Sequence, residues 1–93
     1  MQKSLYKQLV WDYNLTQAQF EDILLGKNQL GQLDQSWAIA RILENLHYYD
    51  ALSLVPFATL SKNWDNVKRK LFVKGIRDGY EFVLHRHALS IAR

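Results

Sequence analysis

The sequence predicts an all-α fold: a compact bundle of about five to six short helices in one domain over residues 1–93. Three observations carry that prediction. Apolar side chains recur every three to four positions, the spacing that gathers them on one side of a helix. Runs of β-branched residues are absent, and the chain holds only four Gly and one Pro. Helix-start residues stand just ahead of several apolar-periodic stretches, at Thr16, Asp34, Asp50 and Asn63.

Taken in order, Ser4–Trp11 reads as a first helix with Leu5, Tyr6, Leu9 and Val10 inward. Asp12 and Asn14 then compete with helical hydrogen bonding and bend the chain. Thr16 and Gln19 form the two ends of a capping box, and Leu15 and Phe20 stand where a hydrophobic staple would cross it. The second helix is expected over Gln17–Leu25, with Phe20, Ile23 and Leu24 inward and Gly26 as its left-handed stop. After a polar loop, Asp34 caps a third helix running from Gln35 to about Tyr49. Its stripe is Ile39, Ile42, Leu43, Leu46 and Tyr49, widened by Trp37 and Ala40, with Arg41, Glu44 and Asn45 facing out. Asp50 is expected to cap a short fourth helix, Ala51–Val55, and Pro56 to sit in the first turn of a fifth with Phe57 and Leu60 inward. Asn63 then caps a further segment, Trp64–Phe72, and Gly75 breaks or bends the run. The last helix, Ile76 to about Ile91, turns Ile76, Tyr80, Val83, Leu84, His87 and Ile91 to one side. Gly79 lies inside it, where close contact with another helix would explain a glycine.

Composition excludes several classes. With 93 residues, 48% hydrophobic and 23% charged, the chain is neither disordered nor collagen-like. It has no Cys, so it is neither a disulfide scaffold nor a thiol enzyme nor a zinc ribbon. The longest mostly apolar stretch, Ala51–Leu60, is about half the length a bilayer span requires, so no membrane association is expected. The residues after Met1 hold no apolar signal-peptide core, which makes the cytoplasm the expected compartment.

Charge is distributed unevenly. Residues 1–50 carry Lys3, Lys7, Lys27 and Arg41 against Asp12, Glu21, Asp22, Asp34, Glu44 and Asp50, a net −2. Residues 51–93 carry eight cations against Asp65, Asp78 and Glu81, a net +5. A solvated bipolar surface accounts for this, and so does an anionic partner, protein or RNA, on the C-terminal half. The densest cluster is Lys68, Arg69, Lys70, Lys74 and Arg77. Lys70, Lys74 and Arg77 align if helix continues through Gly75, and Phe72 and Tyr80 are near enough in sequence to stack on bases. The same two aromatics also fit a core stripe.

Catalytic chemistry is absent from the pattern. No phosphate-binding glycine loop, H-E-x-x-H or G-x-S-x-G occurs, and no carboxylates pair for acid–base work. His85 and His87 lie about 200° apart on a helix, so they do not chelate one ion. His47, beside two tyrosines, is expected to be partly buried. No cofactor is implied, and the chain is expected not to be an enzyme. Leu15–Phe20 opens a helix as some helix-turn-helix repressors do. However, the Gly26–Leu33 loop exceeds the usual turn of about 3–4 residues, and the helix after it is net acidic.

Leu9–Asn14, Phe20–Gly26, Arg41–Asn45 and Arg77–Val83 together resemble a group of small bacterial proteins of undefined activity. Such proteins are often encoded beside nucleotidyltransferase-like toxins of the abortive-infection type. The resemblance implies an antitoxin-like or accessory role and no catalytic residues. Two functions are therefore expected in competition. One is a protein-interaction module that binds a partner or itself, anchored by some of its three Trp and five Tyr. The other is a nucleic-acid-binding module working through Lys68–Arg77.

Overall fold

A computed structural model of the chain describes residues 3–10 and 12–91. Among these, six α-helices surround one apolar core: α1 (Lys3–Val10), α2 (Gln17–Leu24), α3 (Gln35–Asn45), α4 (Tyr48–Leu54), α5 (Phe57–Lys70) and α6 (Lys74–Ile91). The described residues contain no strand, only an isolated antiparallel bridge between Leu30 and Leu33 in the α2–α3 loop. The expected end of the first helix at Trp11 lies outside the described residues, and so does the side chain of Ile91.

Helix α3 is the axle of the bundle, touching α1, α2, α4 and α5, while α6 lies chiefly against α5. Ala38, Ile39, Ala40, Ile42 and Leu43 of α3 are all buried, so apolar contact surrounds most of its circumference. Leu9, Phe20, Ile23, Leu60 and Val67 close around them. The expected capping box at α2 is present: Gln19 N–H donates to Thr16 Oγ1 at 3.1 Å, and Thr16 N–H donates to Gln19 Oε1 at 2.9 Å. At the other end, Gly26 has φ +75°, its amide donates to the Ile23 carbonyl, and the Lys27 amide donates to that of Asp22. That pair of bonds is a Schellman motif, which only a residue at ease with positive φ closes cheaply.

Several expected boundaries move. Helix α3 stops at Asn45, not at Tyr49, because Leu46 and His47 are both extended. At this end the Leu46 amide donates to the Ile42 carbonyl, and the Asn45 side chain folds back to donate to the Arg41 carbonyl at 2.8 Å. The break swings Leu46 into the core and leaves Tyr49 83% exposed and His47 on the surface, against the inward positions expected for them. Asp50 does not cap α4 but lies in its first turn, where the helix dipole favours an anion. Helix α5 runs unbroken through Asn63, whose side chain donates to the Thr59 carbonyl at 2.8 Å instead of capping a new segment. The interruption expected at Gly75 falls earlier, at residues 71–73, and Gly75 sits in the first turn of α6. Among the described residues nothing lies within 4 Å of where a Cβ on Gly79 would stand, so the expected close helix contact is not made there.

Candidate functional site

The five cations of the basic cluster are distributed over two helices. Lys68, Arg69 and Lys70 form the last turn of α5, where they complement the negative end of the helix dipole. Lys74 and Arg77 begin α6. The three-residue connector ends the helical register, so the single face through Lys70, Lys74 and Arg77 does not form.

Carboxylates are threaded between these cations. Lys68 Nζ lies 3.7 Å from Asp65 and 3.9 Å from Glu81, Lys70 lies 4.0 Å from Asp34, and Arg77 lies 3.9 Å from Asp78. Lys74 bonds Asp78 at 2.6 Å, and that bond holds the Asp78 carboxyl below its ordinary pKa. Arg69 is exposed and has no ion pair among the described residues. Each exposed pair adds little stability, but together they flatten the local positive potential.

Two concavities flank the cluster. Lys68, Arg69 and Arg77, with Glu81, line a shallow depression of about 320 Å³. Arg69 and Lys70 also form one wall of a cleft of about 440 Å³, whose other walls include Tyr13, Leu33, Trp37, Arg41 and Phe72. Lys74 lines neither.

The cleft is built from long-range contacts. Trp37 enters from the first turn of α3, where its amide donates to the Asp34 side chain at 2.9 Å. Its ring meets Tyr13 edge-on at 5.1 Å between centres and Phe20 at 6.0 Å. Arg41, expected to face solvent, is half-buried. Its Nε and Nη2 donate to the Leu9 carbonyl at 2.9 and 2.7 Å, and Nη2 also reaches Asp12 at 2.6 Å. A guanidinium thus closes the orphan carbonyl end of α1 and lies over the Tyr13 ring, 5.3 Å from its centre. Glu44 of α3 accepts the amides of Phe72 and Val73 immediately ahead of α6.

Phe72 is 93% exposed and Val73 51% exposed. Phe72 is therefore no part of the core stripe. Tyr80 is core: it is buried, and burial raises its hydroxyl pKa, with Tyr48, 5.9 Å away between ring centres, adding to the shift. The cleft's other aromatics and Arg41 were not singled out from sequence as site residues. The only local sign was Trp37 and Arg41 four positions apart on one helix, and nothing in the order of residues links them to Tyr13 or Phe72.

His87 stacks on Phe57 at 4.4 Å between ring centres, while His85 is exposed. Among the described residues no group of three or more His, Asp or Glu is placed to hold a metal ion, and no helix is long and apolar enough to cross a membrane. Comparison with family models, curated proteins and solved structures finds no match to this chain.

Proposed function

We propose that the chain is a non-catalytic protein-interaction module, antitoxin-like in that it acts by occupying a partner protein. The observation that carries this reading is Phe72, 93% exposed on the α5–α6 connector beside an aromatic-lined cleft. A phenylalanine held in water next to a concavity is a ready anchor, because docking recovers the apolar burial that folding left unused. Val73 beside it, 51% exposed, extends the apolar surface.

The competing reading is nucleic-acid binding through Lys68, Arg69, Lys70, Lys74 and Arg77. Arg69, which has no carboxylate partner among the described residues, favours it. Weighing against it are Asp34, Asp65, Asp78 and Glu81, which interleave with the other four cations. A continuous phosphate backbone would meet those carboxylates repeatedly, while a protein surface need place charge only where a cation stands.

Co-expression with the product of the adjacent gene tests the proposal. The two chains are expected to co-purify, and Phe72→Asp is expected to separate them without changing the helical circular dichroism or its melting. A chain that stays alone and monomeric beside its neighbour overturns it. Binding to RNA or DNA that falls steeply with salt, and is lost in Lys70→Glu plus Lys74→Glu, selects the nucleic-acid reading instead.

A further inference from the structure

We infer that the cleft between Trp37 and Phe72 is a docking groove for an acidic peptide segment of a partner, one carrying a single aromatic or large aliphatic anchor among carboxylates. The inference rests on the protein-interaction reading above and adds the chemistry of what is bound.

The floor of the cleft is apolar and already set. Leu33, Trp37 and Ala40 line it, and Trp37 is wedged edge-on between Tyr13 and Phe20, so little side-chain freedom remains to be lost on binding. Phe72 stands at the mouth, where an anchor lying on Trp37 would cover it. A space of about 440 Å³ suits a few residues of extended or turned chain, within the range of sites that enclose a compact ligand.

The charge around that floor is uneven in a way that selects the occupant. Arg41 is committed: Asp12 and the Leu9 carbonyl take its donors. Glu44 is committed as well, since its carboxylate holds the Phe72 and Val73 amides. What remains facing an incoming chain is Arg69, with no ion pair among the described residues, and Lys70, which is only loosely paired with Asp34 at 4.0 Å. Two cations on one wall above an aromatic floor complement a segment with an anchor in the middle and carboxylates to one side. A nucleic-acid strand fits less well, because Asp34 stands beside Lys70 and Glu44 lines the same cleft.

The test uses the full chain and fluorescein-labelled nonapeptides. The first has a central Phe flanked by Asp and Glu; the second replaces Phe by Ser; the third replaces the acids by Lys. A single-stranded oligonucleotide of equal charge is the fourth probe. Anisotropy is expected to rise with the first peptide alone. Arg69→Glu and Phe72→Ala are each expected to weaken its binding by about tenfold or more, and Lys74→Glu, outside the cleft, to leave it unchanged. Both cleft substitutions are at exposed positions, and unchanged melting checks that the fold survives them. Tighter binding of the oligonucleotide overturns the inference, as does equal binding of the Ser peptide. Peptide binding that survives both cleft substitutions, or no binding of the first peptide at millimolar concentration, also overturns it. If the partner co-purifies but the peptide fails, the module binds through another face and this inference alone falls.

Discussion

The carboxylate of Glu44 accepts the backbone amide of Phe72 at 2.8 Å, and that of Val73 at 3.3 Å. Val73 in turn gives its carbonyl to the Arg77 amide, so the cap of α6 is supplied by a residue of α3, not by its own segment. The bond supports a helix start that has no local Ser, Thr, Asp or Asn. Glu44→Ala is expected to cost about 1–2 kcal/mol of unfolding free energy in urea melts, with Glu44→Gln losing less because one acceptor oxygen remains. Equal stability of Glu44→Ala and the natural chain would show that the cap contributes nothing.

Two glycines should respond oppositely to alanine. At Gly79 a Cβ meets nothing within 4 Å and the backbone is helical, so Gly79→Ala is expected to stabilise the fold by about 1 kcal/mol. At Gly26, φ is +75° and a Cβ would approach Gln35 Oε1 at 3.4 Å, while Gln35 is held by its bond to the Leu24 carbonyl. Gly26→Ala is expected to destabilise by about 1–2 kcal/mol. Thermal melts of the two variants should move in opposite directions.

Arg41 joins α1 to α3 through the Leu9 carbonyl and Asp12. Arg41→Met keeps much of the packing but leaves a helix-end carbonyl and a carboxylate without their donor. The expected loss is about 2 kcal/mol, in the range for hydrogen bonds from charged groups. Asp12→Asn should cost less, because its side chain is 37% exposed and the Leu9 bonds persist. A double-mutant cycle between the two positions measures their coupling.

Tyr80 imposes an alkaline limit on stability. Burial raises its hydroxyl pKa above the ordinary value of about 10, with Tyr48 adding to the shift. Its contribution is complete below the unfolded-state pKa and is lost as pH rises from there through the folded value, since the unfolded chain ionises first. Tyr80→Phe should therefore flatten the fall in stability as pH rises past the unfolded-state value of about 10, read from urea melts. A fall of unchanged steepness in that variant would assign it to other groups.

The elements that could be read from sequence were those whose cause is local. The Thr16–Gln19 box and the Gly26 stop each need only neighbours within one turn, and both formed as expected. The Asp34 cap and the apolar stripe of α3 as far as Leu43 followed the same logic, while its expected end at Tyr49 did not form. What could not be read depended on partners far along the chain. Arg41 and Glu44 fall on the polar side of α3 by periodicity, yet both are bound to groups about thirty positions away. Residues 71–73 have no Gly, Pro or Asn to announce a break, and Gly75, which does, lies inside a helix. The cleft combines both failures: its aromatics come from the α1–α2 connector, α3 and the α5–α6 connector, and only the fold brings them together.

The lopsided support of α6 sets how the molecule comes apart. An arm leaning mainly on one neighbour can peel away while the axle and its four companions stay clasped. Amide protons along 78–87 should then trade with deuterium through partial opening, at rates indifferent to how firmly Ile39 and Ile42 are locked, while those of α3 wait for the whole chain to let go. Such a hierarchy would let a partner seize or release the α5–α6 corner without dismantling the rest.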